Sequence, residues 1–170
     1  FYKSGHLFCF LPLPISCGLP VHINGCFAVT SDRRQLMKTT EDDKKSQRSS
    51  WNKALIQDAL VNAYIYLLEE IRENSPYPEY EYYALWPLNC PETVLPIRKY
   101  FIRKLVQQES RLFHRNLEWQ SFHKCMFLDP ALRKDKDIGN IAFETLLTFH
   151  PAGNSVVMEL PDHVMKSLLT

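Results

Sequence analysis

Glycine is scarce in this sequence of 170 residues, and none of its five glycines stands next to another. A phosphate-binding loop needs clustered glycines, because several backbone N–H groups must converge on the anion. The six histidines are also scattered, without the spacing that places two metal ligands on one helix face. We therefore expect neither a nucleotide cofactor nor a metal ion within this chain.

The chain also lacks net charge and long apolar runs. Its 20 basic and 19 acidic residues leave a charge of +1, which creates no global field to attract nucleic acid or an anionic membrane. No apolar run approaches the roughly 20 residues that span a bilayer. The sequence thus predicts no nucleic-acid partner and no membrane insertion.

The cysteines give no sign of cross-linking or metal binding. They are five in number and include no Cys-x-x-Cys pair. Neither a disulfide framework nor a zinc knuckle is indicated, and free thiols fit a reducing, cytoplasmic compartment. The first residue is Phe1 and not methionine, so we expect the chain to be part of a longer protein.

Apolar residues are present in sufficient number for one core, and we expect a single domain over residues 1–170. Two apolar runs, at 7–11 and 21–30, predict strands joined by a stiff loop. Proline has no N–H to donate to a sheet, so Pro12 and Pro14 are expected at a strand end or a sheet edge. Residues 38–50 are charged and poor in hydrophobic side chains, which predicts a mobile loop.

The clearest helix is predicted over residues 51–72, with Ser49 or Ser50 as its N-cap. Apolar residues recur there at steps of three and four, which is the period of one helix face. The predicted inner face consists of Ile56, Leu60, Ala63, Leu67 and Ile71, and Ala59, Tyr64 and Leu68 widen it.

A second long helix is predicted to begin between Pro91 and Pro96, because proline suits a first helical position, and to end near Leu112. The C-terminal part is expected to hold short helices. One covers residues 138–149, and another begins at Asp162.

Strand-like segments lie near residues 124–128 and 155–160. Together with the two early strands, they predict an α+β fold. We expect a small mixed or antiparallel sheet packed by the two long helices.

An aromatic cluster lies between the two long helices. It could stack on nucleic-acid bases or clasp a proline-rich peptide, although the neighbouring Glu79 and Glu81 would repel the phosphates of a nucleic acid. Packing against the first long helix is the simpler interpretation. The aromatic cluster consists of Tyr77, Tyr80, Tyr82, Tyr83 and Trp86.

Two arginines follow the second predicted strand directly, at Arg33 and Arg34. An arginine at a rigid strand end can donate a forked pair of hydrogen bonds to a phosphate. The alternative is an ion pair with the adjacent Asp32, which is the simpler interpretation.

Two long motifs resemble the large repeats of the sacsin family. They are Gly-His-Leu-Phe-Cys-Phe-Leu-Pro-Leu-Pro at residues 5–14 and Gly-Leu-Pro-Val-His-Ile-Asn-Gly at residues 18–25. Further similar segments, in chain order, are Phe27-Ala28, Ser31-Asp32-Arg33-Arg34, Trp51-Asn52, residues 118–129 and residues 160–164.

The resemblance implies properties of a whole protein. Each large repeat of that family begins with a GHKL-type ATPase domain, and this chain resembles the segment that follows one. ATP would then bind in the upstream domain, which is the first expected partner. Further expected partners are the seventy-kilodalton heat-shock chaperone, the proteasome, and intermediate-filament or unfolded clients. The implied location is cytoplasmic, with an association with mitochondria.

The residues and the resemblance leave three functions open. The leading one is a non-catalytic structural and protein-interaction module of a sacsin-type co-chaperone, which supports protein folding and quality control and is not itself an enzyme. The second is the second lobe of a GHKL ATPase, in which Arg33 or Arg34 contacts the nucleotide of the preceding domain. The third is a peptide-binding clasp formed by the aromatic cluster.

Overall fold

The computed structural model describes residues 4–38, 47–74, 79–88, 90–115, 118–149 and 155–168. The chain divides into two compact units. Unit 1 consists of Phe1–Leu67 and Leu85–Phe101, and unit 2 of Leu68–Ala84 and Ile102–Thr170. The expectation of a single domain over residues 1–170 stays a prediction.

Unit 1 contains a mixed sheet of three strands: β1 (His6–Cys9), β2 (Leu11–Ser16) and β3 (Ile23–Asn24). The order is β2-β1-β3, with β1 antiparallel to β2 and parallel to β3. Pro12 and Pro14 therefore lie in an edge strand, where a missing N–H is tolerated. Their predicted edge position is confirmed, but the prediction that they belong to a loop is wrong.

The predicted strand at residues 21–30 is also much shorter than expected. Only β3 is a strand in this stretch, and one isolated bridge pairs Val29 with Leu36. The approach of Gly5 to this stretch is close, because a Cβ at Gly5 would lie 1.9 Å from the Val21 carbonyl oxygen. Glycine at this position allows the start of β1 to pass directly beside the backbone of Val21.

The first long helical region has three parts: α1 (Gln47–Ala54), a π-helical segment (Leu55–Ala59) and α2 (Leu60–Asn74). Helix α1 begins earlier than predicted, so the N-cap assigned to Ser49 or Ser50 is wrong. Both serines lie inside the helix.

The π-helical segment shifts the buried face of this region by one residue. A π-helix closes its hydrogen bonds over five residues and inserts an extra residue into the turn. The centre of the predicted face continued from Ile56 in steps of an α-helix, but the buried residues beyond Ile56 are Val61, Tyr64, Ile65 and Leu68. The burial of Tyr64 and Leu68, which were predicted to widen the face, is confirmed. Ala63 is exposed, and Leu60 and Leu67 are only partly buried, so the predicted centre of the face is wrong by about one position.

Helix α4 (Pro96–Gln107) begins at Pro96, as predicted, and follows a short turn at Glu92–Val94. It ends five residues before the predicted end at Leu112. Its buried face includes Ile97 and Phe101. The most buried residues of unit 1 are Leu7, Leu13, Cys17, Leu19, Val61, Val94, Ile97 and Phe101.

Unit 2 contains α3 (Glu79–Ala84), an antiparallel pair of strands and a parallel pair. The antiparallel pair is β4 (Phe113–Arg115) with β5 (Glu118–Gln120), and the parallel pair is β6 (Cys125–Phe127) with β7 (Val156–Met158). The chain crosses from β6 to β7 through α5 (Lys136–Phe149) and then forms α6 (Asp162–Leu168).

The α+β class and the short C-terminal helices are confirmed. The prediction of a single sheet is wrong, because the strands near 124–128 and 155–160 pair with each other and not with the strands of unit 1. The most buried residues of unit 2 are Leu68, Tyr82, Tyr83, Leu105, Leu112, Phe113, Leu128, Val157, Met158, Leu160 and Val164.

Residues 39–46 of the predicted mobile loop lie outside the described residues, whereas residues 47–50 belong to α1. Among the described helices, none has both the length and the apolar character needed to cross a membrane.

Candidate functional site

The turn between β1 and β2 presents two apolar side chains to solvent. Phe10 is 84% exposed and Leu11 is 63% exposed. Phe10 has a φ of 61°, in the left-handed region that a bulky side chain seldom adopts. Its backbone N–H donates to Oδ1 of Asn24 at 3.4 Å. We call Phe10 and Leu11 the hairpin tip.

Arg33 reaches the base of the hairpin tip. Its Nη2 donates a hydrogen bond of 2.9 Å to the carbonyl oxygen of Cys9, and its own φ is 58°. The backbone N–H of Arg33 donates to the Thr30 carbonyl at 2.8 Å. The guanidinium thus ties the loop after β3 to the residue that precedes Phe10.

The predicted ion pair of Asp32 with an arginine is wrong. The Asp32 carboxylate accepts from Oγ1 of Thr30 at 2.5 Å and from the backbone N–H of Arg34 at 3.1 Å. These two bonds lower the pKa of Asp32, since both favour the ionised form. Within the described ranges, the one ion pair joins Arg72 to Glu73.

Arg34 differs from Arg33 because its side chain is exposed. It lines a small cavity of about 170 Å³ together with Lys38 and Thr93. The structure therefore separates the two predicted phosphate-contacting arginines. Arg33 bonds to the backbone of its own unit, and Arg34 faces solvent beside a second cationic side chain.

Trp51 and Asn52 in α1 hold the loop that carries both arginines. Asn52 is 3% exposed, and its Oδ1 accepts from the Ala28 N–H at 2.8 Å. Its Nδ2 donates to the carbonyls of Ala28 at 2.7 Å and Met37 at 3.2 Å. The indole Nε1 of Trp51 donates to the Cys26 carbonyl at 2.8 Å. The side-chain amide of Asn52 thus forms hydrogen bonds with the backbone at Ala28 and at Met37.

The aromatic cluster contributes Trp86 to the core of unit 1. Trp86 is buried and meets the edge of Phe101 at 5.3 Å between ring centroids. Tyr64 approaches Phe101 at 6.5 Å and donates its hydroxyl to the Leu85 carbonyl at 2.5 Å. Burial raises the pKa of Tyr64, so its hydroxyl stays protonated as a donor.

Two tyrosines of the aromatic cluster lie buried in unit 2. The Tyr82 ring contacts Trp119 at 4.7 Å, and the Tyr83 hydroxyl accepts a hydrogen bond of 2.9 Å from the His114 backbone N–H. Tyr77 lies outside the described residues, and Tyr80 lies in α3. The burial of Tyr82, Tyr83 and Trp86 favours the packing interpretation of the cluster over the clasp.

Three of the five cysteine thiols are poorly suited to nucleophilic chemistry. All five are free, and burial raises the pKa of Cys17, of Cys90 to about 11 and of Cys125 to about 12. A thiol with a raised pKa carries little reactive thiolate at neutral pH. Among the residues with described positions, no three His, Cys, Asp or Glu side chains are grouped to hold a metal ion.

Sequence reasoning singled out Arg33, Arg34 and the aromatic cluster, but it did not assign roles to Phe10 or Asn52. The exposure of Phe10 follows from a backbone angle that no local pattern reveals. Asn52 had a weak signal, since it is a polar residue next to the apolar face of a predicted helix and belongs to the Trp51-Asn52 motif.

The chain is similar in sequence to sacsin from Homo sapiens. The two are 34% identical over 174 residues, which cover 94% of this chain and 4% of that protein. The chain thus spans a small part of the length of this relative. No family model matches the chain, and no solved structure matches it.

Proposed function

Because the chain is related to sacsin over most of its length, we propose that it is a structural and protein-interaction module of a sacsin-type chaperone, without catalysis of its own. The expected whole-protein partners are the upstream ATPase domain with its ATP, the seventy-kilodalton heat-shock chaperone, the proteasome, and intermediate-filament clients. The expected location is cytoplasmic, with an association with mitochondria.

The positions of the motif residues support a structural role. The motifs at residues 5–14 and 18–25 supply Leu7, Leu13 and Leu19 to the core of unit 1. Trp51 and Asn52 bond to backbone carbonyls. Motif residues that fill a core and hold a loop in place are expected in a module whose role is structural.

The hairpin tip is the observation that carries the interaction role. A buried aromatic side chain stabilises its own fold, whereas Phe10 projects into solvent from a left-handed backbone. The strain and the exposure are both unfavourable for the isolated chain. Apolar segments of an unfolded client would cover Phe10 and Leu11, and aromatic side chains are frequent anchors of such interfaces.

The test is a titration of the isotope-labelled chain with reduced, carboxymethylated lactalbumin, a permanently unfolded protein. Amide resonances of residues 8–11 should shift and saturate. Phe10→Asn keeps the backbone favourable, since asparagine adopts the left-handed region readily, and removes the ring. Its affinity should fall about tenfold or more, as for a central aromatic anchor of an interface.

Ile141→Ser in α5 is the matched control, because Ile141 is another apolar residue that is 67% exposed. Its affinity should equal that of the unchanged chain. The interaction role of the hairpin tip is rejected if the amide resonances of residues 8–11 do not respond to the unfolded protein. It is also rejected if Ile141→Ser weakens binding as much as Phe10→Asn.

A second function is favoured by the position of Arg34. An exposed arginine beside Lys38 and a cavity is accessible to a phosphate from a neighbouring domain, whereas the Arg33 guanidinium is bonded to Cys9. In this alternative, Arg34 stabilises transition-state charge during ATP hydrolysis in the preceding domain. Arg33 would then position the loop.

The alternative requires a longer sacsin-type chain that contains the ATPase domain and hydrolyses ATP. Arg34→Ala should lower its turnover by about a thousandfold, as for arginines that contact a transferred phosphoryl group. Arg48→Ala, at an exposed arginine of α1, serves as the control. Equal turnover of the Arg34→Ala and Arg48→Ala chains would exclude the alternative.

A further inference from the structure

Unit 2 contains a cleft whose walls are mainly cationic. Its volume is about 510 Å³, within the range of roughly 300–1,000 Å³ that is usual for ligand pockets. Three cationic side chains and one carboxylate line it, beside an indole and an amide. The lining residues are Arg72, Arg111, Glu118, Trp119, Gln120 and Lys124.

Arg72 is the most fixed of the three cations. Its side chain is 15% exposed, and its Nη1 donates to the Arg111 carbonyl at 2.9 Å. Its Nη2 pairs with the carboxylate of Glu73, which is 59% exposed. The guanidinium is therefore held in the wall by its own partners, and the exposed Arg111 and Lys124 are the cations that a ligand can reach.

Trp119 forms a rigid apolar wall of the same cleft. Its ring lies 4.7 Å from the ring of Tyr82 and 4.7 Å from that of His114. Next to it, the side-chain amide of Gln120 donates to the carboxylate of Glu118 at 3.2 Å. The exposed cations Arg111 and Lys124 complete the lining.

We propose that this cleft binds an acidic peptide segment, with side-chain carboxylates at Arg111 and Lys124 and the hydrocarbon of the peptide on Trp119. This surface is in unit 2 and does not depend on the client role proposed for the hairpin tip. Cationic groups around a concave apolar wall attract anions and exclude cationic peptides.

The indole wall decides between a peptide and an inorganic anion. The attraction of a phosphate to the cations and its repulsion by Glu118 and Glu73 both grow with its charge of about −1.5 to −2, so charge alone does not select the ligand. Trp119 offers an apolar surface that the hydrocarbon of a peptide covers and a phosphate group does not. The cleft thus suits negative charges carried on a peptide.

The experiment titrates the whole labelled chain with a capped tetraglutamate peptide, a capped tetraglutamine peptide and inorganic phosphate, in separate series. The tetraglutamate should shift the indole resonance of Trp119 and the amide resonance of Gln120, and salt should weaken this binding. Tetraglutamine should shift neither. Phosphate should shift the Trp119 and Gln120 resonances only at concentrations higher than those at which tetraglutamate shifts them.

Charge variants test whether positive side chains favour tetraglutamate binding and negative side chains oppose it. Arg111→Gln and Lys124→Gln should each weaken tetraglutamate binding by about two- to fivefold, the range for one exposed ion pair. Glu118→Gln should strengthen it by a similar factor, because a repulsive charge is removed. Lys166→Gln, at an exposed lysine of α6, should leave it unchanged.

Three results would overturn the proposal. The first is an unchanged Trp119 resonance with tetraglutamate. The second is equal binding of tetraglutamine, which would show that charge is not recognised. The third is weaker tetraglutamate binding by Glu118→Gln. Tighter binding of phosphate than of tetraglutamate would identify a phosphate site and would equally reject the peptide.

Discussion

Replacing Asn52 by alanine should destabilise unit 1 by about 3 kcal/mol. The amide of Asn52 makes three hydrogen bonds, to the N–H and carbonyl of Ala28 and to the carbonyl of Met37. Each bond contributes about 1 kcal/mol net, and its loss leaves a backbone group without that partner. Because Asn52 is 3% exposed, water has little access to replace the amide.

The measurement is urea unfolding followed by circular dichroism and by tryptophan fluorescence, which compares the free energies of unfolding. Asn62→Ala is the matched control in α2, since its exposed amide bonds to the Asp58 side chain at 3.0 Å. That change should alter the free energy by no more than about 0.5 kcal/mol. A loss below about 1 kcal/mol for Asn52→Ala would refute the reasoning.

Asn52→Asp distinguishes the hydrogen bond that residue 52 accepts from the two that it donates. The introduced carboxylate can still accept from the Ala28 N–H, but it faces the two carbonyl oxygens of Ala28 and Met37 without a proton to donate. Burial and these oxygens should raise its pKa in the folded state. Its penalty should therefore be smallest at low pH, below the unfolded pKa, and should grow as pH rises. A stability loss that is independent of pH would contradict the assigned amide orientation.

Three further predictions concern strain, close packing and ionisation. Phe10→Gly should stabilise the chain by up to about 1 kcal/mol in urea unfolding, since it relieves the left-handed strain and sacrifices little burial; a destabilised variant would contradict this. Gly5→Ala should destabilise it by several kcal/mol, because a Cβ would clash with the Val21 carbonyl; unchanged stability would contradict the close approach. Burial raises the pKa of Cys90 to about 11 and of Cys125 to about 12, from 9.0. The stability that these neutral thiols contribute to the folded state is therefore complete below pH 9 and is lost as the pH rises through the folded pKa values. Alkaline unfolding followed by circular dichroism should move to higher pH in Cys125→Ala, and an unchanged midpoint would oppose this sign.

The sequence predicted the helices better than their buried faces. Apolar period and proline position located α4 and α5, because both signals are local. The buried face of α2 was displaced by the π-helical segment Leu55–Ala59. A π-helical segment inserts an extra residue into the turn, and no residue pattern at 55–59 announced it.

The strands were harder to predict because their partners are distant. Residues 7–11 read as one apolar strand, but the chain reverses at Phe10, where no glycine or asparagine marks the turn. The strands β6 and β7 were located, but their parallel pairing with each other depends on the crossover through α5. Pairing choices of this kind follow from packing and not from local propensity.

The candidate sites show the same limit. Proximity in sequence suggested an ion pair between Asp32 and an arginine, whereas the short loop lets Asp32 bond to Thr30 and to the Arg34 N–H instead. Local hydrogen bonds of this kind are typical of aspartate in turns. The Arg33 side chain is then directed to Cys9, which is 24 residues earlier in the chain. No spacing rule could have predicted that contact.

A chain of hydrogen bonds joins α1 to the hairpin tip and explains why two strained residues occur together. Asn52 holds Ala28 and Met37, the ends of the loop, and Arg33 within that loop bonds to the carbonyl of Cys9. Phe10 follows directly. Arg33 and Phe10 both have positive φ, and each angle costs about 1–2 kcal/mol for a residue with a side chain. The Phe10 angle does not serve the core, since the Phe10 ring is exposed. The strain is therefore concentrated where the backbone directs an aromatic side chain outward, which is the geometry expected of a contact surface.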